Sequence, residues 1–197
     1  FDFVMRLTMR ESTFKRRLVW EARLQSNSRV LDLGCGTATL TILAKRASPM
    51  VTILGMDGDS EVLKIARAKA VALDLAIPLV RGMSFELPYP SGCFDRVLSS
   101  LLFHHLTREN KVRTFNEVFR VLRPGGVLLV ADFGKPGNAL MRLLSLVGQR
   151  FEETSENLKG LLPYMAQDAG FQQVQEYARY TTLFGGLVIF GARKPPE

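Results

Sequence analysis

A short apolar run that ends in an acidic residue and two glycines carries the strongest chemical signal in this chain. The run is Val30-Leu31-Asp32-Leu33-Gly34-Cys35-Gly36-Thr37, and it is typical of a strand that opens through a tight turn into a helix. Gly34 and Gly36 have no Cβ, so their backbone can turn sharply and approach a ligand closely. The pattern predicts a site for a nucleotide-like ligand.

The charge of this segment and its missing third glycine discriminate between classes of ligand. A dinucleotide site has a third glycine three residues further on, where this sequence has Thr39. Asp32 would repel a pyrophosphate, whereas S-adenosylmethionine carries an ammonium and a sulfonium that suit a carboxylate at a strand end. We therefore expect S-adenosylmethionine as the cofactor rather than NAD. The residues of this turn that we predict to bind it are Asp32, Gly34, Cys35 and Gly36.

A second acidic group follows the next predicted strand, in Gly55-Met56-Asp57-Gly58. It lies about 20 residues after the glycine turn, where a carboxylate reaches the hydroxyls of a ribose. We predict that role for Asp57, with Gly58 beside it. Asp59 is the alternative, but its place before Ser60 at the start of a predicted helix favours a capping role.

His104 and His105 are the two histidines of the chain, and both directly follow the fourth predicted strand. Ligands bind at this carboxyl edge of an α/β sheet, and a histidine titrates close to neutral pH. Either ring could take a proton from a substrate hydroxyl or acidic carbon, or could pack beneath a loop. We predict His104 as the catalytic base. A metal site is not expected, because adjacent residues rarely face one ion.

Three other side chains at the ends of predicted strands have alternative explanations. Ser99 and Ser100 end the fourth strand, where they either bind the methionine end of the cofactor or close the strand, and we favour Ser99 for binding. Cys35 is not expected to be a nucleophile, because a sulfonium is already activated for methyl transfer. Its backbone is the part predicted to touch the ligand.

Short apolar runs alternate with amphipathic segments, which is typical of βαβ units that form a mostly parallel sheet. Strands are predicted over residues 30–33, 51–56, 77–80, 94–99, 126–133, 171–180 and 183–193. Helices are predicted over residues 11–24, 37–47, 60–73, 108–122, 138–150 and 154–169. The fold class is therefore α/β, a doubly wound seven-stranded sheet, mostly parallel with an antiparallel C-terminal strand pair and helices on both faces. Ser12 is a candidate cap of the first helix, and Gly185-Gly186 should break or bulge the last strand.

The length and composition predict one globular domain of 197 residues, with residues 1–27 as an N-terminal helical appendage. The net charge of +7 is attributed to solubility, because Lys15-Arg16-Arg17 is the one basic run and is predicted to be the solvated face of a helix. Cys35 and Cys93 are too few for a disulfide scaffold and lack the spacing of a zinc site. We therefore expect a cytoplasmic setting. No apolar run approaches the ~20 residues that span a bilayer.

Taken together, these motifs make the sequence resemble the class I S-adenosylmethionine-dependent methyltransferases from about Val30 to Phe133. In the terms of that family, residues 30–36 are the first motif and Asp57 is the ribose-binding acid. Residues 82–95 resemble the loop that covers the adenine, and Leu122-Arg123-Pro124-Gly125-Gly126 leads into the fifth strand. The resemblance implies methyl transfer to a small-molecule acceptor. It also adds three residues to the predicted cofactor site, namely Met83, Ser84 and Phe85.

Within the methyltransferase type 11 group, the chain is most similar to the ubiquinone and menaquinone biosynthesis C-methyltransferases. The similarity rests on Phe1-Asp2-Phe3-Val4-Met5-Arg6-Leu7, Phe133-Gly134-Lys135-Pro136 and Gly185-Gly186-Leu187-Val188. Met83 stands where the family has an Asp, His104-His105 replaces an Arg-Asn pair, and the segment between Pro136 and Asn157 is shorter. The resemblance implies an apolar ring or quinone-like acceptor, held under the apolar segment 138–150.

The sequence leaves other functions and partners as alternatives to methyl transfer. An NAD-dependent oxidoreductase is one alternative, and a non-catalytic cofactor-binding protein is another, which Met83 leaves open. A nucleic-acid partner is not expected, because the sequence has no separate recognition domain and no aromatic-basic stripe. Contact with a membrane surface is an open alternative that we do not expect, and the oligomeric state is unknown.

Overall fold

The computed structural model describes residues 11–134, 157, 159–182 and 185–196. Its helices are α1 (Glu11–Glu21), α2 (Thr39–Ala47), α3 (Ser60–Ala72), α4 (Arg108–Val121) and α5 (Leu162–Asp168), with a 3-10 helix at Phe103–His105. Its strands are β1 (Arg29–Leu33), β2 (Thr52–Asp57), β3 (Leu79–Arg81), β4 (Phe94–Ser100), β5 (Leu122–Gly134), β6 (Gln172–Thr182) and β7 (Gly185–Arg193).

The described strands form one seven-stranded sheet in the order β3-β2-β1-β4-β5-β7-β6. Strands β1 to β5 are parallel, β7 pairs antiparallel with β5, and β6 pairs antiparallel with β7. The order reverses between β1 and β4, and ligands of open α/β sheets bind outside the carboxyl ends of the strands at such a point. The predicted fold class is confirmed.

Side-chain alternation along the strands divides the core into two layers. Leu31 and Leu33 of β1 belong to the layer that α4 and α5 cover. Val30, from the same strand, points to the opposite face and packs with α1 and α2. Helices therefore cover both faces of the sheet, as predicted, and the direction of each side chain near the end of β1 is set by this alternation.

Helix α1 lies outside the sheet and covers one of its faces. Phe14 and Leu18 are fully buried and pack in the same cluster as β1, β5 and β7. Ser12 lies within the helix, so the prediction that it caps the helix is wrong. Lys15 is only 8% exposed, which corrects its assignment to a solvated face.

Several strands and helices begin or end at other residues than predicted, because pairing with a neighbouring strand extends or interrupts them. Strand β5 begins at Leu122, which pairs with Phe94, and the register then shifts before Arg96 pairs with Val127. The predicted turn before the fifth strand is thus an irregularity inside it, with Gly125 at φ +72°.

The C-terminal pair is antiparallel as predicted, but its irregularities lie elsewhere than expected. They occur opposite β7, between Gln172 and Gln175 and between Glu176 and Ala178 of β6, whereas Gly185 and Gly186 begin β7. In the region of the predicted helix 154–169, the described helix α5 begins only at Leu162.

Some sequence predictions lie outside the described residues. They are the helix or lid over residues 138–150, the motif of the first seven residues and the Lys135-Pro136 pair. None of the described helices has the length and apolar character needed to cross a bilayer.

Candidate active site

The glycine turn after β1 is bonded to the neighbouring strand. The backbone N–H groups of Gly34 and Cys35 both donate to the carbonyl of Met56, at 2.8 and 3.0 Å. Gly34 has φ +70°, and a Cβ there would lie 2.9 Å from Leu102. Glycine is therefore required at this position for both backbone conformation and space. The turn holds the backbone close against the carboxyl edge of the sheet.

Asp57, at the end of β2, connects this turn to the next loop. Its Oδ2 accepts the N–H of Gly36 at 2.8 Å, and its Oδ1 accepts the N–H of Asp59 at 3.0 Å. Each carboxylate oxygen can accept a second hydrogen bond, so Asp57 retains acceptor capacity for a ligand. Asp59 itself caps α3 by accepting the N–H of Glu61 at 2.7 Å, which confirms the predicted capping role.

A cavity of about 500 Å³ opens at this edge of the sheet, which is a typical volume for a small-molecule site. It brings together eight of the predicted cofactor residues, which are Gly34, Cys35, Gly36, Asp57, Gly58, Met83, Ser84 and Phe85. Its wall also contains residues that the sequence analysis did not assign to the cofactor, including Lys15, Met56, Val62, Ser100, Leu102, His105 and Leu106.

The predicted adenine loop forms one wall of this cavity. Met83 is 51% exposed, and its Sδ would lie 3.2 Å from a Cβ built on Gly58. The hydroxyl of Ser84 is buried and hydrogen-bonded to Thr114 at 3.0 Å, so its backbone is the part available to a ligand. The guanidinium carbon of Arg113 lies over the ring of Phe85, 4.9 Å from the ring centre.

Asp32 and Ser99 do not line this cavity, although both were predicted to contact the cofactor. Each is 0% exposed. Alternation along β1 directs Asp32 to the layer of α1 and α2, where its Oδ2 accepts the hydroxyl of Thr41 at 2.6 Å. Ser100, one residue after Ser99, is the serine that lines the cavity.

The buried position of Asp32 changes its acidity. Burial raises the pKa of Asp32 from 3.8 to about 6, against the opposing effects of the Thr41 hydrogen bond and the positive charge of Lys15. Within the described part of the chain, its Oδ1 has no hydrogen-bond partner. Burial likewise raises the pKa of the Cys35 thiol, and the charges of Asp32 and Asp57 add to the effect. Cys35 is therefore a protonated thiol, consistent with its having no nucleophilic role.

His104 is paired with a buried carboxylate at the end of β5. Its Nδ1 lies 3.0 Å from Oδ1 of Asp132, which is 1% exposed. The same carboxylate accepts the N–H groups of Phe103 and Phe133, each at 2.7 Å, and the side-chain amide of Asn157 at 3.1 Å. These donors fix Asp132, and Asp132 in turn orients the ring of His104.

His105, rather than His104, lines the cavity. The centres of the two rings lie 3.9 Å apart, so His104 packs against His105. On its other side, His104 meets the ring of Phe133 at 4.8 Å. The structure thus places the predicted base against a residue of the cavity lining rather than in the lining itself, and it adds Asp132 as its partner.

Two charged residues at or beside the site, Asp132 and Lys15, were missed by the sequence analysis for different reasons. Asp132 had a detectable signal, because it is an acidic residue near the carboxyl end of a predicted strand, as Asp57 is. Lys15 had no such signal, because its place in the cavity depends on how α1 packs across the sheet.

The residues of the cavity fit S-adenosylmethionine. Asp57 offers carboxylate oxygens to a ribose diol, and Met56 and Val62 offer apolar contacts to a base. The acidic and carbonyl groups around the glycine turn suit a ligand that carries an ammonium and a sulfonium. A bulky polyphosphate would instead meet the negative charge of Asp57.

Comparisons with known proteins agree with this geometry. A family model described as a methyltransferase domain matches residues 30–126. The chain is similar to the demethylmenaquinone methyltransferase of Listeria welshimeri, with 30% identity over 92% of this chain and 88% of that protein. It is also similar to the demethylmenaquinone methyltransferase of Thermus thermophilus, with 33% identity over 76% of this chain and 66% of that protein.

Solved structures share the fold. A SAM-dependent methyltransferase from Methanosarcina mazei superposes with a TM-score of 0.74 at 22% identity, over 91% of this chain and 98% of that one. A phosphoethanolamine N-methyltransferase from Haemonchus contortus, in complex with S-adenosyl-L-methionine, gives a TM-score of 0.74 at 16% identity, over 93% and 52% of the two chains. The family model and the relatives do not support an NAD-dependent oxidoreductase or a non-catalytic protein.

Proposed function

The chain belongs to the class I S-adenosylmethionine-dependent methyltransferases, and from this premise we propose that its acceptor is an apolar, quinone-like ring compound with an ionisable hydroxyl. Methylation of a small molecule, with S-adenosylmethionine as donor, is the function of the enzyme. The finer assignment is supported by the similarity to demethylmenaquinone methyltransferases. The observation that carries it is the pairing of His104 with the buried Asp132 beside the cofactor cavity.

The pairing prepares His104 to act as a base. An ionised carboxylate only accepts hydrogen bonds, so Nδ1 of a neutral His104 must donate its proton to Asp132. The remaining nitrogen, Nε2, then has a free lone pair. The backbone N–H groups of Phe103 and Phe133 hold the carboxylate in place, which keeps the ring in this tautomer.

A base in this position suits a hydroxylated ring. When bound, S-adenosylmethionine supplies a methyl group on a sulfonium, and S-adenosylhomocysteine is the other product. Nε2 of His104 takes the hydroxyl proton, and the electron pair of the O–H bond stays on the acceptor. That pair is shared between the oxygen and the ring carbons, so either can form the new bond to the methyl carbon as the bond from that carbon to sulfur breaks. When a ring carbon is methylated, it then loses its own proton and the oxygen regains one. Asp132 remains ionised and stabilises the imidazolium that forms.

The rest of the site acts by positioning. Asp57 and the glycine turn would hold the donor, while Leu102 and Leu106 present an apolar wall on the same side of the cavity as His105. Alignment of the two reactants supplies much of the rate enhancement in a methyl transfer of this kind. An apolar ring fits this wall better than a charged amine does.

Turnover on a panel of acceptors tests the proposal. We expect methyl transfer to hydroxylated aromatic rings and quinols, and none to alkylamines of similar size. His104→Gln should lower kcat by about 10² to 10⁴ on the preferred ring, because general-base effects lie in that range. Calorimetry should find the affinity for S-adenosylhomocysteine nearly unchanged in this variant.

His105→Gln is the matched control, because it changes the other ring of the adjacent pair and leaves the bond between His104 and Asp132 in place. It should retain most of kcat, whereas His104→Gln should not. Full turnover by the folded His104→Gln variant, or a preference for amines over hydroxylated rings, would contradict the proposal.

A further inference from the structure

A groove of about 530 Å³ opens between α1 and α2, apart from the cofactor cavity. Val19, Leu24, Leu43 and Ala47 form the apolar part of its lining. None of its described lining residues also lines the cofactor cavity. Helix α2 starts beside the glycine turn and has nine residues, so its end at the groove lies about 14 Å from its start. The groove is therefore a separate surface of the protein.

Three arginines that are scattered along the sequence line this groove together. Arg16 lies on α1, Arg23 follows that helix, and Arg46 belongs to the last turn of α2. All three are exposed, and none of the described lining residues is acidic. The dipole of α2 accounts for Arg46 alone, because it favours a cation only at the end of its own helix. Since guanidinium groups of like charge repel one another, their convergence in this basic groove favours an anionic occupant.

Two large apolar side chains are exposed next to these arginines. Trp20 lines the basic groove and is 64% exposed, and the guanidinium carbon of Arg17 lies 4.7 Å from the centre of its ring. Met50, which follows the lining residue Ser48 after one further residue, is 67% exposed. Tryptophan among arginines suits the surface of a bilayer, where the indole lies at the level of the headgroups and the guanidinium groups meet phosphates.

From this combination we infer that the basic groove docks the enzyme on a bilayer that contains anionic phospholipid. Phosphate groups bind to the three arginines, the indole of Trp20 enters the headgroup region, and the apolar lining accepts part of an acyl chain. A second copy of the chain fits less well, because a twofold contact through this groove brings arginine against arginine. A nucleic acid would use the positive charge but not the aliphatic lining.

Vesicle binding tests the inference with the whole chain. Trp20 is the only tryptophan of the sequence, so tryptophan fluorescence reports on the basic groove alone. Vesicles of equimolar phosphatidylcholine and phosphatidylglycerol should sediment the protein at low ionic strength. They should also shift the emission of Trp20 to shorter wavelength, because the ring leaves water. Vesicles of phosphatidylcholine alone should do neither, and added salt should release the bound protein.

Variants of the groove should weaken this binding. The triple variant Arg16→Gln, Arg23→Gln and Arg46→Gln should bind anionic vesicles about 100-fold more weakly, because each arginine near such a surface contributes about fivefold. Trp20→Ala should weaken the binding about tenfold, because it removes the side chain that enters the headgroup region. All four residues are exposed, so these variants should fold as the wild type does.

A charge-matched triple variant is the control. Arg123→Gln, Lys159→Gln and Arg193→Gln remove the same charge from exposed positions that do not line the basic groove. This protein should bind anionic vesicles within about fivefold of the wild type, since screening limits the reach of distant charges. Calorimetry should find the same affinity for S-adenosylhomocysteine in the wild type and in both triple variants, because none of the changed residues lines the cofactor cavity.

Three results would overturn the inference. One is a wild-type protein that binds both kinds of vesicle equally or binds neither, and this measurement needs no variant. Another is an equal loss of binding in the two triple variants, which would assign the binding to net charge alone. The third is a shift of Trp20 emission with single-stranded RNA but not with anionic vesicles, which would assign the groove to a nucleic acid. No acceptor enters these measurements, so their failure leaves the proposed ring substrate untouched.

Discussion

Replacing Asp32 by Asn should remove a fall in stability that the wild-type protein undergoes as the pH rises from about 4 to about 6. Burial raises the pKa of Asp32 from 3.8 to about 6 in the folded protein. The folded state therefore binds the proton more tightly than the unfolded chain does. The stability that this proton contributes is fully present below 3.8 and is lost as the pH rises through about 6.

The difference between the ordinary pKa of 3.8 and the pKa of about 6 in the folded protein determines how much stability is lost. One pKa unit is about 1.36 kcal/mol, so the loss is about 3 kcal/mol, and it needs no discount for solvent because Asp32 is 0% exposed. An Asn side chain has nearly the same shape, and its carbonyl oxygen can accept the hydroxyl of Thr41 as Asp32 does. At pH 7.5 the variant should be at least as stable as the wild type.

Urea denaturation of both proteins at a series of pH values from about 4 to 8 measures the difference. Asp74→Asn, which changes an exposed carboxylate near the end of α3, is the control and should follow the wild-type curve. The reasoning would be refuted if the free energies of unfolding of the wild type and Asp32→Asn changed in parallel with pH over the whole range. A carboxyl group with the same pKa in the folded and unfolded states does not make stability depend on pH.

Further substitutions test the cofactor site. Asp57→Ala should weaken S-adenosylhomocysteine by about 1 to 3 kcal/mol in calorimetry, through the loss of charge-assisted hydrogen bonds, and an unchanged affinity would remove Asp57 from the ribose role. Met83→Asp should fold normally and bind S-adenosylhomocysteine at least as tightly as the wild type; loss of binding by the folded variant would contradict the placement of the adenine loop. Gly34→Ala should be destabilised in urea denaturation by more than Gly36→Ala, because both need φ above zero but only Gly34 has Leu102 at 2.9 Å from the added Cβ. Equal losses would show that the close contact at Leu102 relaxes without cost.

The local sequence determined the elements and much of the cofactor side of the site. Apolar residues recur every two residues in a strand and about every 3.6 residues in a helix, and both patterns are visible in a contiguous stretch of sequence. The parallel strands and most helices were therefore predicted to within a few residues. Asp57 and the glycine turn were predicted for the same reason, since each directly follows a strand. The cap at Asp59 was predicted because a cap acts only on its own helix.

Only the tertiary structure decided which of two neighbouring side chains faces the cavity. Asp32 and Ser99 point into the core, whereas Ser100, the next residue of β4, lines the cavity. Adjacent residues of a strand point to opposite faces, and which face meets the ligand depends on what packs against each. The sequence shows that side chains alternate between two faces of the strand. Which of those faces borders the cavity is determined by the helices and strands that pack around it.

The two groups that most alter the chemistry of the site come from distant parts of the chain. Lys15 enters the cavity because α1 packs its apolar side against the sheet, and Asp132 meets His104 because β5 lies beside β4. Contacts of this kind join residues separated by long stretches of sequence, so no local pattern predicts them. The sequence by itself therefore determined the class of fold, the cofactor and the turn that would hold it. The burial that raises the pKa of Asp32, the orientation of His104 and the placing of Lys15 were decided only by packing, because each depends on surfaces that meet when the chain is folded.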